Sequence, residues 1–535
     1  MNLVWLDINS SYSHSSLALP AIEACRRGDS YQWKSVSGTI NSDIFLITKE
    51  LYESKPDFIA ATLWLFNHEV VMKICERIKA LLPEVKIVLG GPEFNGCNEN
   101  FLRRNSCINS VFRGEGEEQF HAFLDNTDYS EIVGLCYIDN NGNYKDNGAA
   151  KVADFASLPI PEQSSFFNYS SPFVQIETSR GCFNSCAFCV SGGDKPIRSK
   201  GIETIRKRIE NVRDRGIKDV RILDRTFNYS ISRAKAMIAL FLEFPQMNFH
   251  LEIHPALLSD ELCEVLASTP KNLLHLEAGM QSLDDKVIEA CGRFGTNEKA
   301  LSGLTKLCKM DNFETHADLI AGLPHYTFKQ ILKDIRTLSS IAAGEIQLEL
   351  LKLLPGTKMR NEADSLGIRY AISPPYEVLQ TPAMSINDLD RARLLSKMVD
   401  KFYNAKGWQK VTQKLINEND DFLTVFLEYL IERDMLEKPL SLEKRGTLLY
   451  QFCKEKYPSY CDYVSLEWIK NGLSLRRVEA GNIDKAHTLP EGMEREFNVH
   501  YYIWQGENGE KYIVAFDRSK EHSKPYVFEK LEVRG

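Results

Sequence analysis

Residues 180–189 read RGCFNSCAFC and place cysteines at positions 182, 186 and 189. Three thiolates are too few to close a tetrahedral zinc site, and the 20 residues after Cys189 contain neither histidine nor cysteine. Iron–sulfur clusters also take four thiolates as a rule, so three thiolates on a four-iron cluster leave one iron open. The trio Cys182, Cys186 and Cys189 therefore favours a catalytic iron–sulfur cluster. A zinc site and a chance grouping are the competing interpretations.

The motif follows a strand-like segment, FVQIETS (173–179), and strand–helix alternation continues beyond it. Six such units within residues 168–372 predict a full or partial parallel (β/α)6 barrel. In a parallel barrel the chemistry takes place at the carboxyl ends of the strands. The cysteine loop (residues 180–193) comes directly after the first strand, so we expect it at that end.

Ahead of the barrel, residues 1–150 alternate short apolar runs with amphipathic helices. In the segment HEVVMKICERIKALLP, Val71, Ile74, Ile78 and Leu81 recur at helical spacing. The alternation predicts a small doubly wound domain, whose ligands bind outside the carboxyl ends of the strands. Glycine there allows a tight turn or a close approach of backbone to a ligand. The candidate ligand-binding residues at this edge are Gly90, Gly91, Gly114, Glu115 and Gly116.

After Pro374 the alternation stops, and residues 373–535 predict a third, α+β module. FLTVFLEYLIERDML is typical of a helix, and VHYYIWQGENGEKYIVAF of two strands around a glycine turn. The aromatic residues Tyr501, Tyr502 and Trp504 are most simply the core of this small domain. The alternative is that they cap the barrel mouth or grip a peptide.

Composition limits the class of protein. Of the 535 residues, 43% are apolar and 26% are charged, and the net charge of −8 provides no basic stripe for nucleic acid. No apolar run approaches the roughly 18 residues of a membrane span, and Asp7 near the N-terminus argues against a secretory signal. We therefore expect a cytoplasmic protein whose 13 cysteines are reduced.

The CxxxCxxC spacing, with Phe188 before the last cysteine, resembles the motif of the radical S-adenosylmethionine (SAM) enzymes. In that family the three thiolates hold a [4Fe-4S] cluster whose open iron binds SAM. Reductive cleavage of SAM then gives methionine and a 5′-deoxyadenosyl radical. The likeness continues at the later strand ends LDRTFN (223–228), LEIHP (251–255), AGMQS (278–282) and DLIAGLP (318–324).

This resemblance implies roles for individual residues. Phe188 would pack against adenine, Asp224 would bind the SAM amino group, and Glu252 would bind the ribose or the carboxylate. Gln281 and Arg180 are further candidate cofactor contacts. The alternatives are a core position for Phe188 and solvated strand-end carboxylates for Asp224 and Glu252.

A flavodoxin-like domain ahead of such a barrel resembles the cobalamin-binding subgroup, and IVLGGPE (87–93) and FRGEGEEQF (112–120) look like two of its strand ends. Proteins that ligate cobalt through histidine carry Asp-x-His-x-x-Gly after the first strand. Here Asp7 is followed by INSSYSHSS, so His14 is not carried over as that ligand. The resemblance implies cobalamin bound without a protein histidine. The alternative is a scaffold that has lost its ligand.

LKLLPGTKMR, PPYEVLQT and DLDRARLLSKMVDKFYN resemble a branch of this subgroup with an uncharacterised domain behind the barrel. The resemblance implies methylation of an unactivated carbon in a small molecule or peptide. It also implies an electron donor such as flavodoxin or ferredoxin, and neither nucleic acid nor membrane as partner. A cobalamin-linked rearrangement or redox reaction and a non-catalytic sensor are the alternatives. Methylthiolation is disfavoured because the N-terminal cysteines are too widely spread for a second cluster; they are Cys25, Cys75, Cys97 and Cys107.

Overall fold

The structure, a computed structural model, describes residues 1–11, 13–26, 28, 31–125, 128–517 and 525–531. The chain forms two compact units. One comprises residues 1–327 and 350–389, and the other comprises residues 328–349 and 390–535. The first unit contains the N-terminal sheet and the first five barrel strands. The domain boundaries expected at residues 150, 168 and 372 stay predictions.

The N-terminal sheet has a doubly wound architecture, as predicted. Its five parallel strands are followed at one edge by two antiparallel strands. In spatial order the strands are Gln32–Thr39, Asn2–Asn9, Phe58–Thr62, Lys86–Gly90, Ser110–Phe112, Leu135–Ile138 and Tyr144–Asp146. The helices of this part are Ala18–Ala24, Ile44–Glu53, His68–Leu81, Glu99–Arg104 and Gln119–Asp125. Separate apolar clusters cover the two faces of the sheet.

Two details of this domain differ from the sequence-based expectation. Val71, Ile74 and Ile78 are fully buried, but Leu81, the last residue of the helix, is 53% exposed. The edge strand Gln32–Thr39 was not predicted, because it alternates exposed polar residues with few buried ones. A strand at a sheet edge has one neighbour and needs less apolar surface than a central strand.

The barrel region contains the six predicted strands in residues 173–350. They are Phe173–Ile176, Asp219–Ile222, Asn248–Ile253, Leu274–Gln281, Glu314–Ala321 and Glu345–Leu350. The first five pair in this order and are all parallel. The connecting helices among them are Ile202–Arg213, Ile231–Phe241, Asp260–Ala267, Asp285–Ala290 and Asn297–Cys308. The carboxyl ends of these strands therefore meet at one edge, where the cysteine loop begins.

The second unit combines helices with a terminal antiparallel sheet, as predicted for an α+β module. Its helices include Phe328–Ser340, Gln409–Glu418, Phe422–Glu432, Leu442–Lys456 and Cys461–Lys470. The sheet strands are Asn482–Lys485, Val499–Gln505, Lys511–Asp517 and Pro525–Leu531. Tyr501 and Trp504 are 2% and 1% exposed, and Tyr502 packs beside Trp504. Tyr501 and Trp504 therefore form part of the core of this domain. Among the described residues, no helix is long and apolar enough to cross a lipid bilayer.

A buried ion pair fastens the connector ahead of the barrel to its first helix. Arg208 contacts both carboxylate oxygens of Glu162 at 2.9–3.0 Å, and its remaining Nη1 donates to the carbonyl of Glu177 at 2.6 Å. The two side chains are 1% and 0% exposed. Removal of one partner from such a pair leaves a buried charge without compensation.

We expect Glu162→Gln to lower the free energy of unfolding by about 3–5 kcal/mol, because the Arg208 charge stays buried. The control is Glu243→Gln, which breaks an exposed ion pair with Arg206 on the same helix as Arg208. It should lower the free energy of unfolding by at most about 1 kcal/mol. Denaturant-induced unfolding of the two variants measures the difference. Equal midpoints would contradict the prediction.

Candidate active site

The cysteine loop leaves the first barrel strand through a short antiparallel pair, Ser179–Arg180 with Arg198–Ser199. Gly181 has a φ of +93°, and a Cβ at that position would lie 2.5 Å from the carbonyl oxygen of Asp194. The same oxygen accepts a hydrogen bond from the Cys182 backbone N–H at 2.9 Å. Glycine is therefore required where the loop closes on itself.

Two of the three loop cysteines are buried and Cys189 is half-buried, and each sulfur accepts a hydrogen bond. Cys182 and Cys186 are 8% and 6% exposed. N–H donors are the Asn184 backbone to Cys182 Sγ (3.4 Å), the Ser191 backbone to Cys189 Sγ (3.4 Å) and Arg293 Nη1 to Cys186 Sγ (3.7 Å). Cys182 Sγ also lies 3.8 Å from the Thr226 hydroxyl.

This donor set fits an iron–sulfur cluster better than a single metal ion. Within the described ranges, no group of three or more His, Cys, Asp or Glu side chains is arranged to hold one ion. Thiolates that accept hydrogen bonds are typical of iron–sulfur clusters, whose properties those bonds tune.

A second segment, residues 291–294, packs against the cysteine loop. The Ala187 backbone N–H donates to the Cys291 carbonyl at 2.8 Å, and the Phe294 backbone N–H donates to Asn184 Oδ1 at 2.9 Å. Arg293 adds its contact with Cys186. No local sequence pattern indicates this arrangement, because the partners lie more than 100 positions apart.

Cys291 brings a fourth thiol beside the loop. Burial, followed by the neighbouring Cys186, raises the pKa of the Cys291 thiol to about 12. Burial also raises the pKa of Cys186, while Arg293 lowers it.

Asp224 is not a solvated carboxylate, which was the alternative to a binding role. It is 2% exposed, and its oxygens accept hydrogen bonds from the backbone N–H groups of Thr178 and Ser179, both at 2.8 Å, and from the Thr178 hydroxyl. Its carboxylate thus fixes the strand end that leads into the cysteine loop.

Glu252 lies on the strand Asn248–Ile253 and is half-buried. Burial raises the pKa of this carboxyl, opposed by the positive charge of Arg225. Beside it, Glu277 accepts a hydrogen bond from His250 Nε2 at 3.0 Å when that nitrogen is protonated. The imidazole contact, acting against burial, lowers the pKa of Glu277. Two neighbouring carboxyls therefore differ in their tendency to hold a proton.

Gln281 ends its strand in the left-handed region, with φ of +68°. A Cβ on Gly279 would lie 2.4 Å from Gln281 Nε2 and 3.5 Å from Arg293 Nη2. The Gln281 amide therefore folds back over Gly279 and lies on the Arg293 side, toward the cysteine loop. Phe188 is half-buried within that loop. The cofactor roles expected for Gln281 and Phe188 stay predictions.

Arg180 connects the cysteine loop to the N-terminal sheet. Its Nε donates to Glu177 at 2.9 Å, its Nη2 donates to Glu117, and its Nη1 lies 3.6 Å from Glu115. Burial lowers the pKa of the guanidinium, but Glu117 and Glu177 outweigh burial and raise it. Glu115 is also held by Arg198 through two bonds of 2.6 and 2.8 Å.

An apolar cavity of about 240 Å³ lies at the carboxyl ends of the N-terminal strands. Its walls come from residues 60–62, 88–91 and 114–117, from the helix Ala18–Ala24 and from Arg180. Arg180 Nη1 is buried and makes no hydrogen bond. Trp5 Nε1, which also lines the cavity, is likewise buried without a hydrogen bond. A small apolar cavity with two unsatisfied donors can admit part of an organic ligand that carries polar acceptors.

The glycines at this edge serve two different purposes. A Cβ at Gly91 would lie 2.6 Å from the Leu63 carbonyl, and one at Gly114 would lie 2.1 Å from the Ala150 carbonyl. Both therefore permit internal backbone packing. At Gly90 the nearest atom to a Cβ would be 3.8 Å away, and at Gly116 it would be 3.3 Å away. Of these four glycines only Gly90 leaves room for a Cβ, because at Gly116 the Ile22 side chain would have to move.

His14 lies elsewhere. It borders a separate polar cavity of about 200 Å³ together with Asp7, and its Nδ1 is 2.8 Å from the Ser11 hydroxyl. Its ring contacts Phe173 edge-on, with 5.3 Å between centroids. His14 is not among the residues that line the apolar cavity.

Three family models match the chain. The B12 binding domain matches residues 7–124, the radical SAM superfamily matches residues 176–338, and a protein of unknown function, DUF4080, matches residues 364–533.

Curated relatives are distant. An uncharacterised methyltransferase of Pyrococcus horikoshii is 23% identical over 68% of this chain and 80% of its own length. The cobalamin-dependent radical SAM methyltransferase TokK of Streptomyces tokunonensis is 23% identical over 59% of this chain. The chain matches only 50% of TokK, so the remainder of that protein has no counterpart in the match.

Solved structures show the same fold at low identity. The radical SAM methyltransferase TsrM of Kitasatospora setae, with cobalamin and a [4Fe-4S] cluster bound, covers 73% of this chain and 81% of TsrM with a TM-score of 0.57 at 17% identity. The cobalamin-dependent SAM radical enzyme OxsB covers 87% of this chain and 78% of OxsB, with a TM-score of 0.59 at 13% identity. With its B12-binding, radical SAM and DUF4080 domains in this order, the chain belongs to the cobalamin-binding radical SAM enzymes.

Proposed function

We propose that the protein is a cobalamin-dependent radical SAM methyltransferase that methylates an unactivated carbon of a small molecule or peptide. One observation carries this proposal. Arg180 forms part of the wall of the apolar cavity and stands two positions before Cys182. A cofactor in the cavity and a cluster on the cysteines would therefore be neighbours within one compact unit.

We assign the cluster to Cys182, Cys186 and Cys189, and cobalamin to the apolar cavity. When bound, the cluster with SAM supplies a radical that removes hydrogen from carbon, and cobalamin supplies the methyl group. The protein would position these cofactors and exclude water from the space between them. Buried sulfurs and an apolar cavity wall serve that purpose, since hydrolysis and oxygen would destroy the reactive species.

The SAM contacts are proposed from the strand ends. Glu252 and Gln281 lie on the second and third strands after the cysteine loop, and Gln281 faces the Arg293 side of that loop. Asp224 uses both carboxylate oxygens on Thr178 and Ser179. We therefore assign Asp224 the role of holding the strand end in shape. Glu252 and Gln281 are assigned direct contacts with SAM.

Cobalamin is proposed to bind without a protein histidine below the cobalt. The described residues that line the apolar cavity include no histidine, and their polar side chains are Arg180, two glutamates, Thr62 and the indoles of Trp5 and Trp64. Electrons for the cluster would come from a protein such as flavodoxin or ferredoxin.

Cys186→Ala should abolish release of 5′-deoxyadenosine from SAM by the anaerobically reconstituted, dithionite-reduced protein, because a cluster ligand is lost. Cys291→Ala is the matched control: it removes a buried thiol that touches the same loop but is not a ligand. It should keep the cluster absorbance and most of the nucleoside release, measured by chromatography. Undiminished release from Cys186→Ala would refute the cluster assignment.

Gly90→Leu should reduce the cobalamin that remains bound after gel filtration at least about tenfold, because the new side chain enters the cavity. Gly201→Leu is the control, since a Cβ there meets no atom within 4 Å and the position lies away from the cavity. Absorbance of the eluted protein measures cobalamin per chain. Full retention by Gly90→Leu would place cobalamin elsewhere.

Radiolabel from the methyl group of SAM should appear on bound cobalamin once that cobalamin is reduced to its lowest oxidation state. This test needs no substrate, because methyl restoration precedes methyl delivery. Gly90→Leu, which is expected to lack cobalamin, supplies the background. A rearrangement enzyme would leave the label on SAM, so the absence of labelled methylcobalamin would favour that alternative.

A further inference from the structure

The three cysteine sulfurs accept hydrogen bonds from donors that differ in charge. Cys182 and Cys189 each accept from a backbone N–H group, both at 3.4 Å. Cys186 accepts from the guanidinium of Arg293 at 3.7 Å. Of these three donors, only the guanidinium carries a full positive charge. The electrostatic environment of the cysteine loop is therefore asymmetric.

Arg293 is held in place by contacts that do not involve the sulfur. Its Nη2 donates to the carbonyl of Gly279, and the following residue, Phe294, donates its backbone N–H to Asn184 Oδ1 at 2.9 Å. Its own backbone N–H donates to the Ile288 carbonyl at 3.2 Å. The guanidinium is thus placed beside Cys186 by the strand end and by the segment 291–294.

The charge of Arg293 is not neutralised nearby. In the described part of the chain its side chain bonds only to a carbonyl oxygen and to a sulfur, and it makes no ion pair. Arg180, by contrast, has three carboxylates within 4 Å. The field of Arg293 also acts on its surroundings: with burial as the larger cause, it lowers the pKa of the neighbouring His254 to about 3.

We propose that Arg293 raises the reduction potential of the cluster on Cys182, Cys186 and Cys189. This inference rests on the proposed function. One electron from the reductant enters the cluster without bond formation or cleavage, and it makes the cluster one charge more negative. An adjacent fixed cation stabilises the more negative state, and the effect is large where burial lowers the dielectric constant. Arg293 is a positioning residue that acts through Cys186.

The test is a reductive titration of the reconstituted cluster, without SAM, followed by electron paramagnetic resonance. Arg293→Met should lower the midpoint potential. At the wild-type midpoint, the ratio of reduced to oxidised cluster should fall roughly tenfold, which for a one-electron couple is about 59 mV. Arg293→Lys keeps the charge and should restore most of the potential. Arg206→Met, at the exposed pair with Glu243, should leave it unchanged.

Arg293→Gln separates charge from hydrogen bonding, because the amide still donates but is neutral. A midpoint close to that of Arg293→Met supports the proposal, and this variant also carries the test if Arg293→Met assembles no cluster. Wild-type midpoints in both neutral variants would overturn it. A shift seen only after addition of SAM would overturn it as well, since the cation would then act on SAM. A wild-type protein that binds no cluster contradicts the proposed function instead.

Discussion

The buried charge of Arg180 is the constraint on which the arrangement of the site depends. A guanidinium removed from water requires carboxylate partners, and these come from two directions. Glu177 belongs to the end of the first barrel strand, whereas Glu115 and Glu117 belong to the turn after the last parallel strand of the N-terminal sheet. The three contacts hold that turn against the strand end, and Cys182 follows two positions later. The cavity wall and the cysteine loop are thereby fixed relative to each other.

Much of this architecture was predictable because its signals are local. Apolar runs that alternate with amphipathic helices identified the central parallel strands, and helices such as Ile202–Arg213 lie between them in the structure. The segment DNNGNYKDNG (139–148) carries a local hairpin turn signal, and the strands Leu135–Ile138 and Tyr144–Asp146 form this hairpin. The cysteine trio lies within eight residues, so its spacing alone indicated one site. The family resemblance then supplied the cofactors, which no periodicity could.

The remaining features depend on tertiary contacts that a single sequence does not display. Gln32–Thr39 is a polar edge strand that pairs with the first strand, and its composition resembles that of a loop. Asp224 is a buried anchor because Thr178 and Ser179 aim their donors at it. Arg293 reaches Cys186 across 107 positions. In each case the structural role follows from the tertiary contact partner and not from the type of residue.

Arg180 and Arg293 lie on opposite sides of the cysteine loop and differ in how their charge is balanced. This difference makes the electrostatic environment of the site asymmetric. On the cavity side, the charges of Arg180 and Arg198 are neutralised by Glu115, Glu117 and Glu177. At the segment 291–294, Arg293 stands without a counterion in the described chain. Coulomb's law then stabilises negative charge on the Cys186 side of the loop and disfavours it toward the cavity. An added electron would be held away from the cavity in which a second redox-active cofactor is proposed.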